Sequence, residues 1–223
     1  MTTKTKRKTT VYPKSVKPIR EYTNAVLKPG KNNAKLGGKI TKGPWKGSTI
    51  YSLTLTERST CPKSCHHWDD CYGNNMPFAH RIQHGPALEK KIEAELKELL
   101  KKKPEGITVR LHVLGDFYSL RYIKFWERKL IEHPKLTIFG YTAHPEDSYL
   151  GKGILILNLR YSERCVIRYS RSKESNGIGQ LYAAEESFEG ESFDCPEQAG
   201  KVASCADCGL CWKAEKTVRF KSH

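Results

Sequence analysis

The residues whose types and spacing point to chemistry in this chain are cysteines. Three lie in the stretch Cys61-Pro-Lys-Ser-Cys65-His-His-Trp-Asp-Asp-Cys71-Tyr72, three more in Cys205-Ala-Asp-Cys208-Gly-Leu-Cys211-Trp212, and Cys195-Pro196 stands just upstream of the second group. Seven of the eight cysteines thus form two clusters about 130 residues apart. Thiolates at such intervals are a ligand pattern for a soft or borderline metal. Cys205-x2-Cys208-x2-Cys211 matches the three-cysteine part of ferredoxin-type cluster binding, which a remote Cys-Pro completes, and both Cys61-Pro62 and Cys195-Pro196 are candidates for that role. Structural zinc sites more often pair two C-x2-C knuckles, so the spacing favours an iron–sulfur cluster of the [4Fe-4S] type, with zinc instead or in addition as the competitor. Seven thiolates are too few for two all-cysteine four-iron clusters and too many for one. His66 and His67 can ligate metal, although adjacent loop histidines are more often solvated. Cys165, inside an apolar run, reads as a small buried hydrophobe and is left out of the set.

These groups need a scaffold, and the pattern between them supplies one. Ser48–Leu55 alternates like a strand and runs straight into the first cysteine loop. A helix of about 17 residues is expected from Pro86, with Leu88, Ile92, Leu96 and Leu99 on one face and lysines at its end. Ile107–Leu114 is a second strand, ending at Gly115-Asp116. Ser119 caps a second helix over residues 120–132. Leu136–Thr142, Ile154–Leu159 and Arg164–Tyr169 are expected as further strands, and residues 170–194 as a long loop. Strand–helix alternation of this kind is the signature of an α/β fold with mainly parallel strands, here a partial β/α barrel. In such folds ligands gather at the carboxyl ends of strands. That rim would collect the Cys61 loop, His112, Asp116, Thr142, His144, Asn158 and Arg160, so His112, Asp116 and Thr142 are the candidate catalytic groups.

The formal charge of +15 is unevenly spread: residues 1–47 hold thirteen Lys and Arg against the single acid Glu21, or +12, leaving +3 for the rest. This defines a basic arm, residues 1–47, largely irregular and broken by Pro and Gly, attached to a metal-binding α/β domain, residues 48–223, that includes the cysteine-rich tail. Such an arm neutralises phosphates, which makes DNA or RNA its expected partner and a host protein the other. A solvated tail has the same composition. Residues 1–10 are Lys- and Thr-rich with no apolar stretch after them, so neither a signal peptide nor a membrane span is expected, and a reducing, cytoplasmic setting suits clustered thiols.

The first cysteine loop follows the first strand of a β/α unit, a placement similar to the cluster loop of radical S-adenosylmethionine enzymes. Those use C-x3-C-x2-C; here the spacing is C-x3-C-x5-C. Gly115-Asp116 resembles the segment that holds the methionyl amine in those enzymes, though a helix-capping Asp explains it equally well. Together, Cys61 to Tyr72, His112-Val-Leu-Gly-Asp-Phe-Tyr-Ser119, Phe139-Gly-Tyr-Thr142 and Cys195-Pro to Trp212 resemble a tailed-bacteriophage protein family known by gene-product number alone. The resemblance spans roughly residues 48–213. It implies a phage-encoded protein of the infected bacterial cytoplasm with cysteines as iron–sulfur ligands, and it carries no reaction.

Overall fold

The structure is a computed structural model and describes residues 9–170, 181–185, 191–213 and 215–221. In chain order, β1 (Val16–Lys17) and β2 (Lys28–Pro29) lie in the arm, followed by β3 (Thr49–Ser52), the cysteine loop and β4 (Arg81–Ile82). Next come α1 (Pro86–Lys102), β5 (Ile107–Leu111), α2 (Leu120–Glu132), β6 (Leu136–Thr142), α3 (Tyr149–Arg160) and β7 (Cys165–Ser170). β8 (Tyr182–Glu185), β9 (Ser192–Asp194), the short helices α4 (Cys205–Cys208) and α5 (Leu210–Lys213), and β10 (Thr217–Phe220) complete the described chain.

The main sheet has eight strands in the order β2-β3-β5-β6-β7-β8-β10-β9, and every pairing is parallel except β2 with β3. β1 and β4 form a separate parallel pair. From β3 to β8 each strand is laid beside its predecessor, so three crossovers of one hand place α1, α2 and α3 on the same face. There Leu88, Ile92 and Leu96 of α1, Tyr122, Trp126 and Leu130 of α2, and Ile154 and Leu157 of α3 bury against Val109, Ile138 and Ile167. The architecture is a mixed α/β fold with a mostly parallel sheet. β2 and β9 end the sheet without pairing to each other, so it is open.

Local chemistry sets the helix starts. Pro86 opens α1, Ser119 Oγ accepts the Tyr122 N–H at 3.1 Å to cap α2, and Ser148 Oγ accepts the Gly151 N–H at 3.0 Å to cap α3. The third cap overturns one expectation. Ile154–Leu159, expected as a strand, is the second half of α3. A six-residue apolar run fits either structure, and α3 is apolar enough to leave Tyr149, Ile156 and Leu159 exposed. Asn158 and Arg160 therefore leave the strand-end rim. Asn158 brackets the Ile167 peptide, donating to its carbonyl at 2.8 Å and accepting from its N–H at 2.9 Å, while Arg160 pairs with Glu127 at 2.6 Å. The long loop expected over 170–194 is interrupted by β8 and β9; residues 171–180 and 186–190 lie outside the described residues.

The second face of the sheet carries no helices from the crossovers. It is covered by the arm and the tail together: Leu36, Ile40 and Trp45 from the arm, and Ala206 and Trp212 from the tail, pack on Ile50, Phe139 and Val166. Trp45 and Trp212 stack with centroids 5.3 Å apart and planes 8° apart. Such a pair contributes ~0.5–1.5 kcal/mol beyond the area it buries. The arm's irregular backbone thus supplies core residues, including Tyr22, Val26 and Leu27 on the helix side. Below them the hydroxyls of Ser48, just before β3, Thr108 on β5 and Thr137 on β6 join at 2.7 Å each, which satisfies the polar groups that this alternating face buries. No helix among the described residues is long and apolar enough to cross a membrane.

Candidate metal centre and its cavity

The first cysteine loop is held by two buried arginines. Arg81, fully buried, donates Nε to both oxygens of Glu57 at 2.8 and 3.0 Å. Its other nitrogens reach the carbonyls of Gly73 at 2.8 Å, Met76 at 3.1 Å and Ala79 at 2.9 Å, and Ser15 Oγ at 2.9 Å. Arg58 donates to the Trp68 carbonyl and to Asn74 Oδ1, both at 2.9 Å. A segment with little regular secondary structure is in this way given fixed partners for its carbonyls. Gly115, at φ +83°, lets the β5 rim pass close beneath: a Cβ there would lie 2.6 Å from Thr60 Oγ1 and 2.7 Å from Leu55 Cβ.

The tail is positioned by the arm and the sheet. Cys205 N–H donates to the Lys35 carbonyl at 2.7 Å, Ala206 N–H to Leu36 at 3.0 Å, and Thr41 N–H to Ala206 at 3.1 Å. Arg168, fully buried on β7, donates Nε to the Cys211 carbonyl at 2.7 Å and Nη1 to the carbonyls of Tyr182 and Lys216 at 3.0 Å. Tyr141 OH on β6 donates to Cys211 Sγ at 3.0 Å, and the Arg110 guanidinium of β5 sits 4.3 Å over the Tyr141 ring.

Loop and tail meet at the carboxyl rim around one cavity of about 580 Å3, lined by Cys61, Cys65, Cys71, Cys195, Cys205 and Cys211 together with Arg110, Tyr141, His66 and His67. Cys208 lies outside the lining, and all eight thiols are free. Among the described residues no three Cys, His, Asp or Glu side chains are already closed around a point as metal ligands would be. Burial raises the thiol pKa values, Cys65 to about 11 and Cys205 to about 12, with Cys61, Cys71, Cys208 and Cys211 also raised for the same leading reason. Uncompensated thiolates are costly here, whereas a cation bound to them would offset that cost. Cys165 stays apart on the helix face, its thiol 3.5 Å from Asn158 Oδ1.

Asp116 lines the cavity with its carboxylate fully engaged: Oδ1 accepts from Thr142 Oγ1 at 2.9 Å and the Phe117 N–H at 2.7 Å, and Oδ2 from the Ala143 N–H at 2.7 Å. Burial holds its carboxyl above the usual carboxylate range, opposed by His144 and by those three hydrogen bonds. Thr142 stands behind Asp116 and also accepts the His144 N–H at 3.1 Å. His112 also lines the cavity, but its ring packs against Phe117 and Tyr122; Nε2 pairs with Tyr122 OH at 3.1 Å, and Nδ1 is shielded without a partner. Burial, with Arg110 assisting, lowers its pKa to about 3, so the ring is neutral. Sequence reasoning passed over Arg110, Tyr141 and Arg168, whose only signal was polar residues alternating onto the second face of β5, β6 and β7.

The fold and site together define an α/β protein whose open parallel sheet carries a cysteine-lined cavity at its carboxyl rim. The chain belongs to the bacteriophage family described as Gene product 88, whose family model matches residues 24–214. It is similar to the Gene 88 protein of Mycobacterium phage D29, with 28% identity over 143 residues, covering 57% of this chain and 59% of that protein. The chain thus spans somewhat under two thirds of that relative's length. No solved structure matches.

Proposed function

We propose that this phage protein is an iron–sulfur protein, its cavity housing cysteine-ligated clusters at the rim of a partial β/α barrel, and that it acts on or binds nucleic acid. One observation carries the reading: thiols about 130 residues apart in sequence line a single cavity. The donor set fits the group. Soft thiolates suit iron–sulfur clusters or zinc, and the raised thiol pKa values mean that metal must displace protons to bind. Bound clusters would supply electron transfer or, at an iron with a free position, a Lewis-acid contact. Asp116 and His112 line the cavity with the loop thiols, and Thr142 stands behind Asp116; these three remain the candidate catalytic groups of an enzyme of the radical S-adenosylmethionine-like kind. Asp116 and Thr142 also fix the strand ends to one another, and that role needs no substrate. The basic arm, with +12 over residues 1–47, supplies affinity for DNA or RNA backbones.

A second reading is favoured by the tail's packing. The cysteine tail joins arm and sheet, as a structural zinc site would, which describes a zinc-stapled, non-catalytic module docking on nucleic acid or a host protein. Protein purified without oxygen and assayed for visible absorption, iron, sulfide and zinc separates the two. Matched iron and sulfide with a broad charge-transfer band is the expected result. Colourless protein with stoichiometric zinc and no sulfide, from iron-supplied cells, would overturn the iron–sulfur reading.

A further inference from the structure

The seven thiols fall into two groups in space as well as in sequence. Cys61, Cys65 and Cys71 share the loop that Arg58 and Arg81 hold, and all three line the cavity beside Asp116. Cys211 packs against the cluster that holds Cys195, Ala183 and Val218 and, with Cys205, against the cluster that holds Trp45 and Trp212, while Cys208 shares α4 with Cys205. None of the three loop thiols belongs to either of those clusters. Four thiols are a complete set for a tetrahedral ion or a four-iron cluster; three are one short.

The four-thiol group sits in a segment that cannot hold itself. α4 and α5 have four residues each, far below the length at which a helix is stable alone. What surrounds them is the arm: the Lys35, Leu36 and Thr41 backbone bonds, the Trp45–Trp212 stack, and Gly37, whose φ of +74° and lack of Cβ let Ser204 and Ala206 approach to 2.4 and 2.9 Å from where a Cβ would stand. Arg168 and Tyr141 tie Cys211 to the sheet from below. Cys195 joins from β9's end, its N–H bonded to the Arg219 carbonyl at 2.9 Å. The tail is therefore a wedge between arm and sheet.

We propose that Cys195, Cys205, Cys208 and Cys211 form a metal site of their own, separate from the Cys61–Cys65–Cys71 loop, and that the thiophilic ion or cluster it holds fastens arm residues 30–47 to the sheet. The inference rests on the reading that these thiols bind metal. It assigns the two sites different work: the tail site is a clasp, and the loop site, with three thiols, is the one left with room for an outside ligand.

The test compares Cys208→Ser with Cys65→Ser in the full-length protein purified without oxygen, measuring iron, sulfide and zinc per chain and following trypsin cleavage after Lys39, Lys42 and Lys46, all exposed. Cys208→Ser should lose the tail site's metal alone and be cut in the arm at least roughly tenfold faster, because cleavage follows the open population. Cys65→Ser should lose the loop's metal and keep the arm protected. Wild-type protein stripped with a chelator should lose arm protection and regain it on reconstitution, a check free of any substitution. Equal arm cleavage in the two variants, or an arm still protected after the tail metal is gone, would overturn the clasp while leaving the metal reading intact. Wild-type protein with no metal at all would instead remove the reading beneath it.

Discussion

Replacing Arg81 by Met should damage the cysteine loop more than any surface change could. The side chain is fully buried against a Glu57 that is 1% exposed, and its guanidinium also serves the carbonyls of Gly73, Met76 and Ala79. Removing one member of a buried ion pair costs about 3–5 kcal/mol when the other charge is left alone; Glu57 keeps the Arg58 guanidinium at 3.9 Å and the Thr10 hydroxyl, so the low end, about 3 kcal/mol, applies. Three stripped carbonyls add to this, each by about 1 kcal/mol before relaxation and without strict additivity. The expected loss is thus about 4–6 kcal/mol, a large part of the roughly 5–15 kcal/mol that a domain has in total. Urea unfolding followed by tryptophan fluorescence measures it. Alkylation of the metal-free protein, read by mass spectrometry, should show Cys61, Cys65 and Cys71 reacting faster and the tail thiols unchanged. A loss below about 1 kcal/mol, or loop thiols no more reactive than before, would refute the role assigned to Arg81.

Two further outcomes follow from the rim. His112 titrates far below its ordinary value, at about 3, so the unfolded chain binds the extra proton first as pH falls; its contribution is present above the unfolded value near 6.5 and is lost as pH drops toward 3, at up to about 1.4 kcal/mol per pH unit. Asp116, raised by burial, acts in the opposite sense above its unfolded value, so the His112 share is read as wild type minus His112→Gln in urea series from pH 4 to 7, and equal slopes would refute it. Asp116→Asn keeps one carbonyl oxygen for three donors and should cost about 2–3 kcal/mol with metal content unchanged; an unaltered urea midpoint would show that its bonds to Thr142, Phe117 and Ala143 do not hold the rim.

The helix-side core was legible because its elements are periodic. α1 and α2 carry apolar residues at helical spacing beside clear start signals, and β5 alternates Ile107, Val109 and Leu111 inward. α3 was not, because Ile154–Leu159 is apolar on every side and the deciding residue, Ser148, lies six positions upstream. The described part of the arm holds only two-residue strands and three-residue turns, yet Leu36, Ile40 and Trp45 show that such a chain can still fill a core when each residue is delivered by its own turn. Cysteine spacing singled out the loop and the tail, and these two segments meet around one cavity. What spacing could not say is that Arg110, Tyr141 and Arg168 stand beneath it, since a lone Arg or Tyr on a strand has no signature until the sheet is assembled.

The cover on the sheet's second face is built from chain segments that emerge far apart in time. Residues 30–47 and the Cys61–Cys71 loop leave the ribosome early, whereas Cys205–Trp212 follows Cys71 by roughly 140 residues. At about 5–20 residues per second that is an interval of roughly 7–30 s. Throughout it the arm has no Trp212 to stack on, the loop thiols face an open sheet, and the parallel strands that must close the cavity wait on contacts of long sequence separation, the slow kind. Synthesis itself therefore leaves the loop thiols open to solvent for that interval, and the arrival of the tail completes the cavity wall around them.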